Sequence, residues 1–477
     1  MNKYINKPKK VTPERVSEYI KFNLTENPFP AAPFMALQSP DKRVNGTIYE
    51  KSIRKEEYEQ LKENFLSKPQ SDFSRSRLGF LMDTSYVGRG NGKTAFLMHL
   101  LKTNINNDYC HDISNEENKC FGLYIQPETG GKTKSFEKLI EKLILEIINK
   151  NTLKDCIVSI YLTAIMELYP SLFDEIIKKM DDIDESEYYD QITNSKWYDD
   201  NQLELSKIED LICTNNYLKN TSNDFYNAII ASRKNLLFPE VSLTVDAVKE
   251  YYATMLKKND KVDFFFNDLV LLFEAANFNG AYIFIDDFER IPDFQSERDR
   301  RDFVNSIRTY LFDGSSENAK KGFYNFLLVL HAGVPRLIEK AWGDSGMEQR
   351  CSLATSDKSQ SEGHQIIFKP LDVTSTEKLI AAYLKEYKKE LNSSSEDILF
   401  PFNKESVNKI HAVSDGNVSK ILKNCHHILE AAIKSEDTAI IDKNFVDLYF
   451  QKNSIINIKD DNFLNNAQIN LMDDINE

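Results

Sequence analysis

Closely spaced cysteine pairs are missing from this sequence. Its six cysteines are scattered over 477 residues, and no two of them form a Cys-x-x-Cys pair. Cys110, His111 and Cys120 come nearest to a metal-binding group, but their spacing fits no common zinc pattern and a fourth ligand is missing. The scatter favours reduced thiols and excludes a disulfide-stapled secreted domain.

Long apolar runs and an excess of positive charge are missing as well. No apolar run approaches the roughly 18 residues that a membrane-spanning helix needs. The basic N-terminus is not followed by the apolar segment of a signal peptide. We therefore expect a soluble, cytoplasmic protein with no membrane partner. The net charge of −14 excludes a protein that coats nucleic acid electrostatically, and it leaves room only for weak DNA binding through a local basic patch.

What the sequence does contain is an ordinary apolar content of 41%, enough to bury a core over a length that predicts two or three packed units. We divide the chain by composition and pattern. The predicted segments are a leader (1–74), the phosphate-loop half of a core (75–149), a helical insertion (150–262), the acidic-strand half of the core (263–372), a helical lid (373–452) and a mobile acidic tail (453–477).

Apolar strands alternate with helices on both sides of the predicted insertion. Leu78–Met82 and Cys120–Gln126 read as buried strands before it, and Tyr282–Ile285 and Phe326–Leu330 after it. Helices are predicted over 93–102, 135–148, 264–276 and 298–312, and again throughout the lid, at 376–391, 404–414, 418–434 and 443–451. Strand, loop, helix, strand is the pattern of a parallel α/β sheet flanked by helices. The insertion is tyrosine-rich and acidic, which fits either a partner-docking module or a solvated elaboration.

A glycine-rich turn lies between the first strand and its helix, where a phosphate-binding loop belongs. Glycines let backbone N–H groups turn inward around phosphates, and the helix N-terminus adds partial positive charge. Lys93 would reach the β- and γ-phosphates, and the Thr94 hydroxyl would hold Mg²⁺. Val87 replaces the first glycine of the usual pattern. The predicted nucleotide-binding residues here are Gly88, Gly90, Asn91, Gly92, Lys93, Thr94 and Ala95.

The predicted strand Tyr282–Ile285 is followed by acids, in the stretch Tyr-Ile-Phe-Ile-Asp-Asp-Phe-Glu that ends at Glu289. The carboxyl ends of parallel strands share one edge of the sheet, which places these acids beside the phosphate loop. Asp286 would organise the Mg²⁺ shell. Asp287 stands where a water-polarising acid is expected, and Glu289 is the alternative for that role.

Three further side chains are candidates for contact with a nucleotide. His331 ends the strand Phe326–Leu330 and would sense phosphate or orient water, although a buried, hydrogen-bonded histidine explains it equally well. Arg350 would act on a neighbouring subunit's nucleotide, with Arg336 and Arg308 as weaker candidates and a surface arginine as the plain alternative. Lys420, at the start of a lid helix, could reach the nucleotide from above.

Taken in order, these motifs resemble the AAA+ and STAND branches of the P-loop NTPases. The run Val-Leu-His-Ala-Gly-Val-Pro-Arg-Leu is similar to the origin-recognition-type and transposition-regulating ATPases, and Ile-Asp-Asp-Phe-Glu-Arg is similar to KAP NTPases. The resemblance covers about 80 to 450, excluding the insertion. It implies ATP and Mg²⁺ as cofactors, ATP hydrolysis, assembly of the chain with itself into a ring or filament, and service to a partner.

Three functions follow as hypotheses. The first is an ATP-hydrolysing switch that controls a protein effector in anti-phage defence or DNA processing, with 150–262 as the candidate docking segment. The second is an ATPase that loads onto or remodels duplex DNA directly. The third is a nucleotide-gated scaffold with little turnover. The acidic charge disfavours the second, and the paired acids Asp286 and Asp287 disfavour the third.

Overall fold

The computed structural model describes residues 18–36, 39–61, 78–83, 90–105, 119–184, 187–232, 241–313, 322–331, 334–353, 365–389 and 397–452. Packing divides the chain into two compact units. The first unit comprises Met1–Lys55, Gly90–His99 and Lys369–Glu477, and the second comprises Glu56–Arg89 and Leu100–Phe368. Several features named from the sequence lie outside the described residues, namely Gly88, the group around Cys110 and His111, and the tail 453–477.

A parallel sheet forms the centre of the second unit. Within the described residues it has five strands in the order β2-β3-β4-β1-β5. Every neighbouring pair is parallel. The strands predicted from the sequence are confirmed, and β5 is an addition that the sequence did not predict. The strands are β1 (Leu78–Asp83), β2 (Lys119–Ile125), β3 (Phe278–Ile285), β4 (Tyr324–Leu330) and β5 (Gln365–Phe368).

Helices connect and flank these strands, as the alternating pattern predicted. In chain order they are α1 (Lys55–Leu61), α2 (Lys93–Ile105), α3 (Phe136–Asn149), α4 (Asn151–Leu168), α5 (Pro170–Asp181), α6 (Tyr188–Ile192), α7 (Ser195–Asp200), α8 (Leu205–Thr214), α9 (Asn223–Phe225), α10 (Val245–Thr254), α11 (Lys258–Asp263), α12 (Leu269–Ala275), α13 (Glu297–Ile307), α14 (Val334–Asp344), α15 (Val373–Tyr387), α16 (Lys404–Ser414), α17 (Val418–Lys434) and α18 (443–452).

The core of the second unit joins the sheet to the helices between β2 and β3. All seven residues of β4 are buried, as expected for a central parallel strand covered on both faces. Helix α3 starts at the capping side chain of Ser135 and buries apolar residues at helical spacing. Phe121 of β2 packs against Phe273 of α12. The described helices of 150–262 share this continuous apolar core.

The first unit has its own core, made from residues near the N-terminus and the C-terminal helices. Phe29 stacks on Tyr383 of α15 and meets Phe402 edge to face. The Asn27 amide donates to Glu430 of α17 at 2.8 Å. The buried apolar side chains of this core are Phe22, Leu24, Phe29, Ile48, Leu371, Ile380, Tyr383, Leu384, Leu399, Phe402, Val407, Ile410, Ile421, Leu422, Cys425, Ile428, Leu429, Ala432, Ile441 and Val446.

Three predicted helices differ from the structure at their ends. The helix predicted over 376–391 is wrong at its C-terminus, because α15 ends at Tyr387 and the extended backbone of Lys388 pairs instead with Leu24. The helices predicted over 264–276 and 298–312 each include a π-helical turn, Phe264–Asp268 and Arg308–Phe312. Among the described residues, no helix has the length and apolar character needed to cross a bilayer.

Candidate functional site

The glycine turn in front of α2 belongs to the first unit. Gly90 and Gly92 have φ angles of +96° and +91°, in the left-handed region that favours glycine. Helix α2 begins directly after them with Lys93, which is buried at 3% exposure. A backbone turned in this way directs N–H groups toward an anion at a helix N-terminus. The described part of the predicted phosphate loop, Gly90 to Ala95, therefore has a backbone suited to phosphate.

Helix α17 begins directly against this turn. The Ser419 backbone N–H donates to the Gly90 carbonyl at 3.0 Å. Asn417 caps the helix and also donates from its amide to the Asn91 side-chain oxygen at 3.3 Å. A Cβ added at Gly90 would lie 2.8 Å from the Cβ of Ser419. Contact with the turn is thus made by Asn417 and Ser419, which the sequence analysis did not single out.

Lys420, the residue proposed from the sequence to reach a nucleotide, lies on the outer side of the same helix start. Its side chain is 60% exposed and its Nζ lies 3.5 Å from an Asp415 carboxylate oxygen. Asp415 itself adopts a left-handed conformation that ends α16. The role proposed for Lys420 stays a prediction, and its present contact is an exposed ion pair of the kind that contributes at most about 1 kcal/mol.

A buried arginine supports the glycine turn from a different part of the chain. Arg54 donates through one terminal nitrogen to the Asn91 carbonyl at 2.8 Å and through the other to the Lys369 carbonyl at 2.9 Å. Arg54 is 6% exposed. A guanidinium holds such a two-pronged geometry where a lysine cannot. Arg54 therefore ties the turn to the segment that leads into α15, a function that no sequence motif indicated.

The acidic edge of the sheet belongs to the second unit, and the strand order explains its composition. β4 lies between β1 and β3. The strands are parallel, so the residues that follow or end them meet at one edge. Asp83 ends β1, Asp286 follows β3 and His331 follows β4. Asp83, Asp286 and His331 therefore lie at the same edge of the sheet.

Asp286 is buried and held by hydrogen bonds. The Tyr124 hydroxyl donates to one carboxylate oxygen at 2.8 Å, and the Asp287 backbone N–H donates to the other at 2.9 Å. Burial, followed by the charge of Asp286, raises the pKa of Tyr124 well above its usual range. Tyr124 is therefore a hydrogen-bond donor at neutral pH. A fixed, buried carboxylate of this kind suits a Mg²⁺ shell, either directly or through water.

Asp287, Glu289 and His331 converge beside Asp286. Asp287 adopts a left-handed backbone, with φ of +48°, which turns its side chain toward the end of β4. One of its oxygens accepts a hydrogen bond from Arg290. The other lies 3.4 Å from the His331 Nε2, and the Glu289 carboxylate lies 3.4 Å from the same nitrogen. The structure thus brings both candidate acids to one imidazole.

Arg350 and Arg308, two of the proposed arginine fingers, converge on one carboxylate in the second unit. Arg350 donates to one Asp313 oxygen and Arg308 to the other, both at 2.8 Å. Arg308 also donates to the Ser345 carbonyl at 2.6 Å. The two guanidinium groups are therefore engaged within their own chain. The side chain of Arg336, the third candidate, lies outside the described residues.

The assembled groups define the chemistry that each unit can perform. The first unit offers a glycine turn, the buried Lys93 and the hydroxyl of Thr94, which suit an anion and its counter-cation. The second unit offers buried carboxylates and an imidazole, which suit a cation or a water molecule to be polarised. No protein-family model matches the chain, and neither a curated protein nor a solved structure matches it at a significant level.

Proposed function

We propose that this chain is an ATP-binding and ATP-hydrolysing switch of the AAA+ type, with Mg²⁺ as its metal. In this proposal 150–262 is an insertion in the core and α15 to α18 form a lid. The observation that carries the proposal is the backbone of the glycine turn, left-handed at Gly90 and Gly92, at the N-terminus of the 13-residue helix α2.

The roles of the phosphate-loop residues follow from their chemistry. Gly90, Asn91, Gly92 and Ala95 would present backbone N–H groups to the phosphates. Lys93 would neutralise the β- and γ-phosphates, and the Thr94 hydroxyl would bind Mg²⁺. The lid would register occupancy of the turn, because Ser419 and Asn417 already hydrogen-bond to Gly90 and Asn91.

The roles of the acids follow from the sheet edge. Asp286 would bind Mg²⁺ through the carboxylate that the Tyr124 hydroxyl holds. Asp287 or Glu289 would polarise the attacking water, and His331, which faces both, would orient the acid or sense the γ-phosphate. Hydrolysis would then reset the switch. We propose that the switch controls a protein effector in anti-phage defence or DNA processing.

A nucleotide-gated scaffold is the second candidate, and the ion pair between Arg290 and Asp287 favours it. A carboxylate shared with an arginine is a weaker base, because the neighbouring positive charge stabilises its ionised form. Under this alternative ATP binds and drives assembly while turnover stays negligible. Single-turnover measurements with a pre-bound nucleotide separate the two candidates: phosphate release on the time scale of assembly supports the ATPase.

The direct test compares ATP binding in wild type and Lys93→Ala, by calorimetry with Mg²⁺. Loss of the buried cation should abolish measurable binding, since the phosphates lose the fixed positive charge of the loop. Lys207→Ala is the matched control, because Lys207 is exposed and forms an ion pair with Glu204, three residues before it. Equal affinity in wild type and Lys93→Ala would overturn the proposal.

A further inference from the structure

Three ligand atoms meet at the acidic edge of the second unit with spacing suited to a metal ion. His331 Nε2 lies 3.4 Å from an oxygen of Asp287 and 3.4 Å from an oxygen of Glu289. The three donor atoms lie within 4.8 Å of one another. For a tetrahedral ion with metal–donor distances of about 2.1 Å, neighbouring donors are roughly 3.4 Å apart. The two measured separations match the edge of such a tetrahedron.

Hydrogen bonding explains this spacing less well. An N–H to O hydrogen bond has a heavy-atom distance of roughly 2.7–3.2 Å, and both contacts to the His331 nitrogen are 3.4 Å. One ring nitrogen carries a single proton, so it cannot donate a strong bond to Asp287 and to Glu289 together. A metal ion placed between the three groups would be coordinated by one donor atom from each of them.

The surroundings hold one of the three groups by a hydrogen bond and place a buried carboxylate near a second group. The second nitrogen of His331 faces an Asp83 carboxylate at 3.7 Å, and the Asp83 side chain is fully buried. The oxygen of Asp287 that points away from His331 is held by Arg290. A hydrogen bond to a ligating carboxylate orients the ligand and strengthens binding.

We propose that Asp287, Glu289 and His331 bind a first-row transition-metal ion, represented by Zn²⁺ or Mn²⁺. The proposed site consists of residues of the second unit alone. One imidazole nitrogen with two carboxylates favours these ions over Mg²⁺ or Ca²⁺, which prefer oxygen ligands throughout. The proposal does not require ATP. If the chain is an ATPase, the ion occupies its water-polarising acids and Zn²⁺ inhibits turnover at saturating Mg²⁺.

The test uses the full chain, stripped with a chelator and free of nucleotide. Zn²⁺ is titrated by calorimetry, and Co²⁺ absorption reports whether the ligands are nitrogen and oxygen or cysteine thiolate. One ion per chain should bind through nitrogen and oxygen ligands. Glu289→Gln and His331→Gln should each bind Zn²⁺ at least about tenfold more weakly. Glu204→Gln is the control. Glu204 is an exposed carboxylate directly before α8, and its substitution should not alter Zn²⁺ binding.

The outcomes separate this proposal from the proposed ATPase. Lys93→Ala should lose ATP and keep the Zn²⁺ affinity of wild type, so a failure of either proposal is visible without the other. Circular dichroism checks that the variants are folded, and the conservative Glu289→Gln keeps the test open if His331→Gln is not. Absence of a bound ion in wild type, thiolate ligation of Co²⁺, or unchanged Zn²⁺ affinity in both folded variants would each overturn the site.

Discussion

The backbone N–H of Ser419 donates a hydrogen bond to the carbonyl of Gly90 at 3.0 Å, so α17 begins directly on the glycine turn. The two residues are 329 positions apart in the sequence. Their contact means that the backbone of the turn and the start of the helix cannot move independently in the first unit. A ligand that rearranges the turn would therefore also shift the start of α17.

The first prediction concerns Gly90→Ala. A Cβ in the left-handed region costs about 1–2 kcal/mol by itself. At Gly90 it would also lie 2.8 Å from both the Cβ and the hydroxyl oxygen of Ser419. We expect lower stability and weaker ATP binding, measured by urea unfolding and calorimetry, because α17 must shift away from the turn.

Gly130→Ala is the matched control for the backbone term. Gly130 also has a positive φ, of +73°, and in the described part of the chain nothing lies within 4 Å of a Cβ added there. Gly130→Ala should lose only the stability that a Cβ costs in the left-handed conformation, and it should bind ATP normally. Equal effects of the two substitutions would mean that the contact with Ser419 is unimportant.

The second prediction concerns Arg54→Ala. The substitution removes the guanidinium donor from the buried Asn91 carbonyl and from the part-buried bond to the Lys369 carbonyl. A buried acceptor left without its donor costs about 1–3 kcal/mol and a typical hydrogen bond contributes about 0.5–1.5 kcal/mol, so we expect a loss of about 1.5–4.5 kcal/mol in unfolding free energy. ATP affinity should fall as well, because the turn loses its support.

Arg54→Lys keeps the charge but cannot reach both carbonyls with a planar fork, so it should recover only part of the loss. Arg298→Ala removes an arginine whose side chain is 83% exposed and should change neither stability nor ATP affinity. If Arg54→Ala has the same free energy of unfolding as wild type, the two hydrogen bonds make no net contribution to stability.

The third prediction separates the two acids. Asp287→Asn should retain bound ATP and slow hydrolysis, because an amide cannot accept the proton of the attacking water. A positioned base contributes about 10²–10⁴-fold, so phosphate release at saturating ATP should fall by that order. Asp293→Asn, at an exposed position six residues on, serves as the control.

Glu289→Gln decides between the acids if Asp287→Asn still turns over. Asp287 has one oxygen held by Arg290, whereas Glu289 is buried at 7% exposure beside His331. Persistent activity in Asp287→Asn with loss in Glu289→Gln would transfer the catalytic role to Glu289. Persistent activity in both would show that neither acid polarises the water.

The strands and the acidic edge could be predicted because their signals are local. β1, β3 and β4 each contain a continuous apolar run, and the acids follow β3 directly in the sequence. β5 was missed because four residues, Gln365–Phe368, carry too little pattern. The strand order depends on long-range pairing, so the position of His331 between Asp83 and Asp287 could be expected only in outline.

The supports of the glycine turn could not be predicted, for a related reason. Arg54 lies in a charged stretch with nothing to mark it as buried, and its partner Lys369 is 315 residues away. Asn417 and Ser419 read as an ordinary helix start, which drew attention to the charged Lys420 instead. Polar contacts of this kind depend on which backbone carbonyls the fold presents, and no residue pattern records that.

The last prediction concerns Arg350 and assembly. If Arg350 acts on the nucleotide of a neighbouring chain, it must first leave Asp313, with which it pairs at 2.8 Å. Partly exposed pairs of this kind contribute about 0–1 kcal/mol, so release is easily offset by contact with a nucleotide phosphate. Head-to-tail contacts of this type generate rings or filaments, and the chains should associate more strongly with ATP. Arg350→Ala should therefore bind ATP normally and hydrolyse it slowly.

Mixing two inactive proteins makes this prediction decisive. Arg350→Ala supplies an intact phosphate loop and Lys93→Ala supplies an intact arginine, so an interface that joins the two contains one complete site. Arginine fingers contribute roughly 10³–10⁵-fold, and even a minority of such interfaces should restore measurable phosphate release. Sizing by light scattering must show that the variants assemble together. Co-assembly without recovery would mean that Arg350 is not the finger, and Arg308, which shares Asp313 with it, would be exchanged next, followed by Arg336.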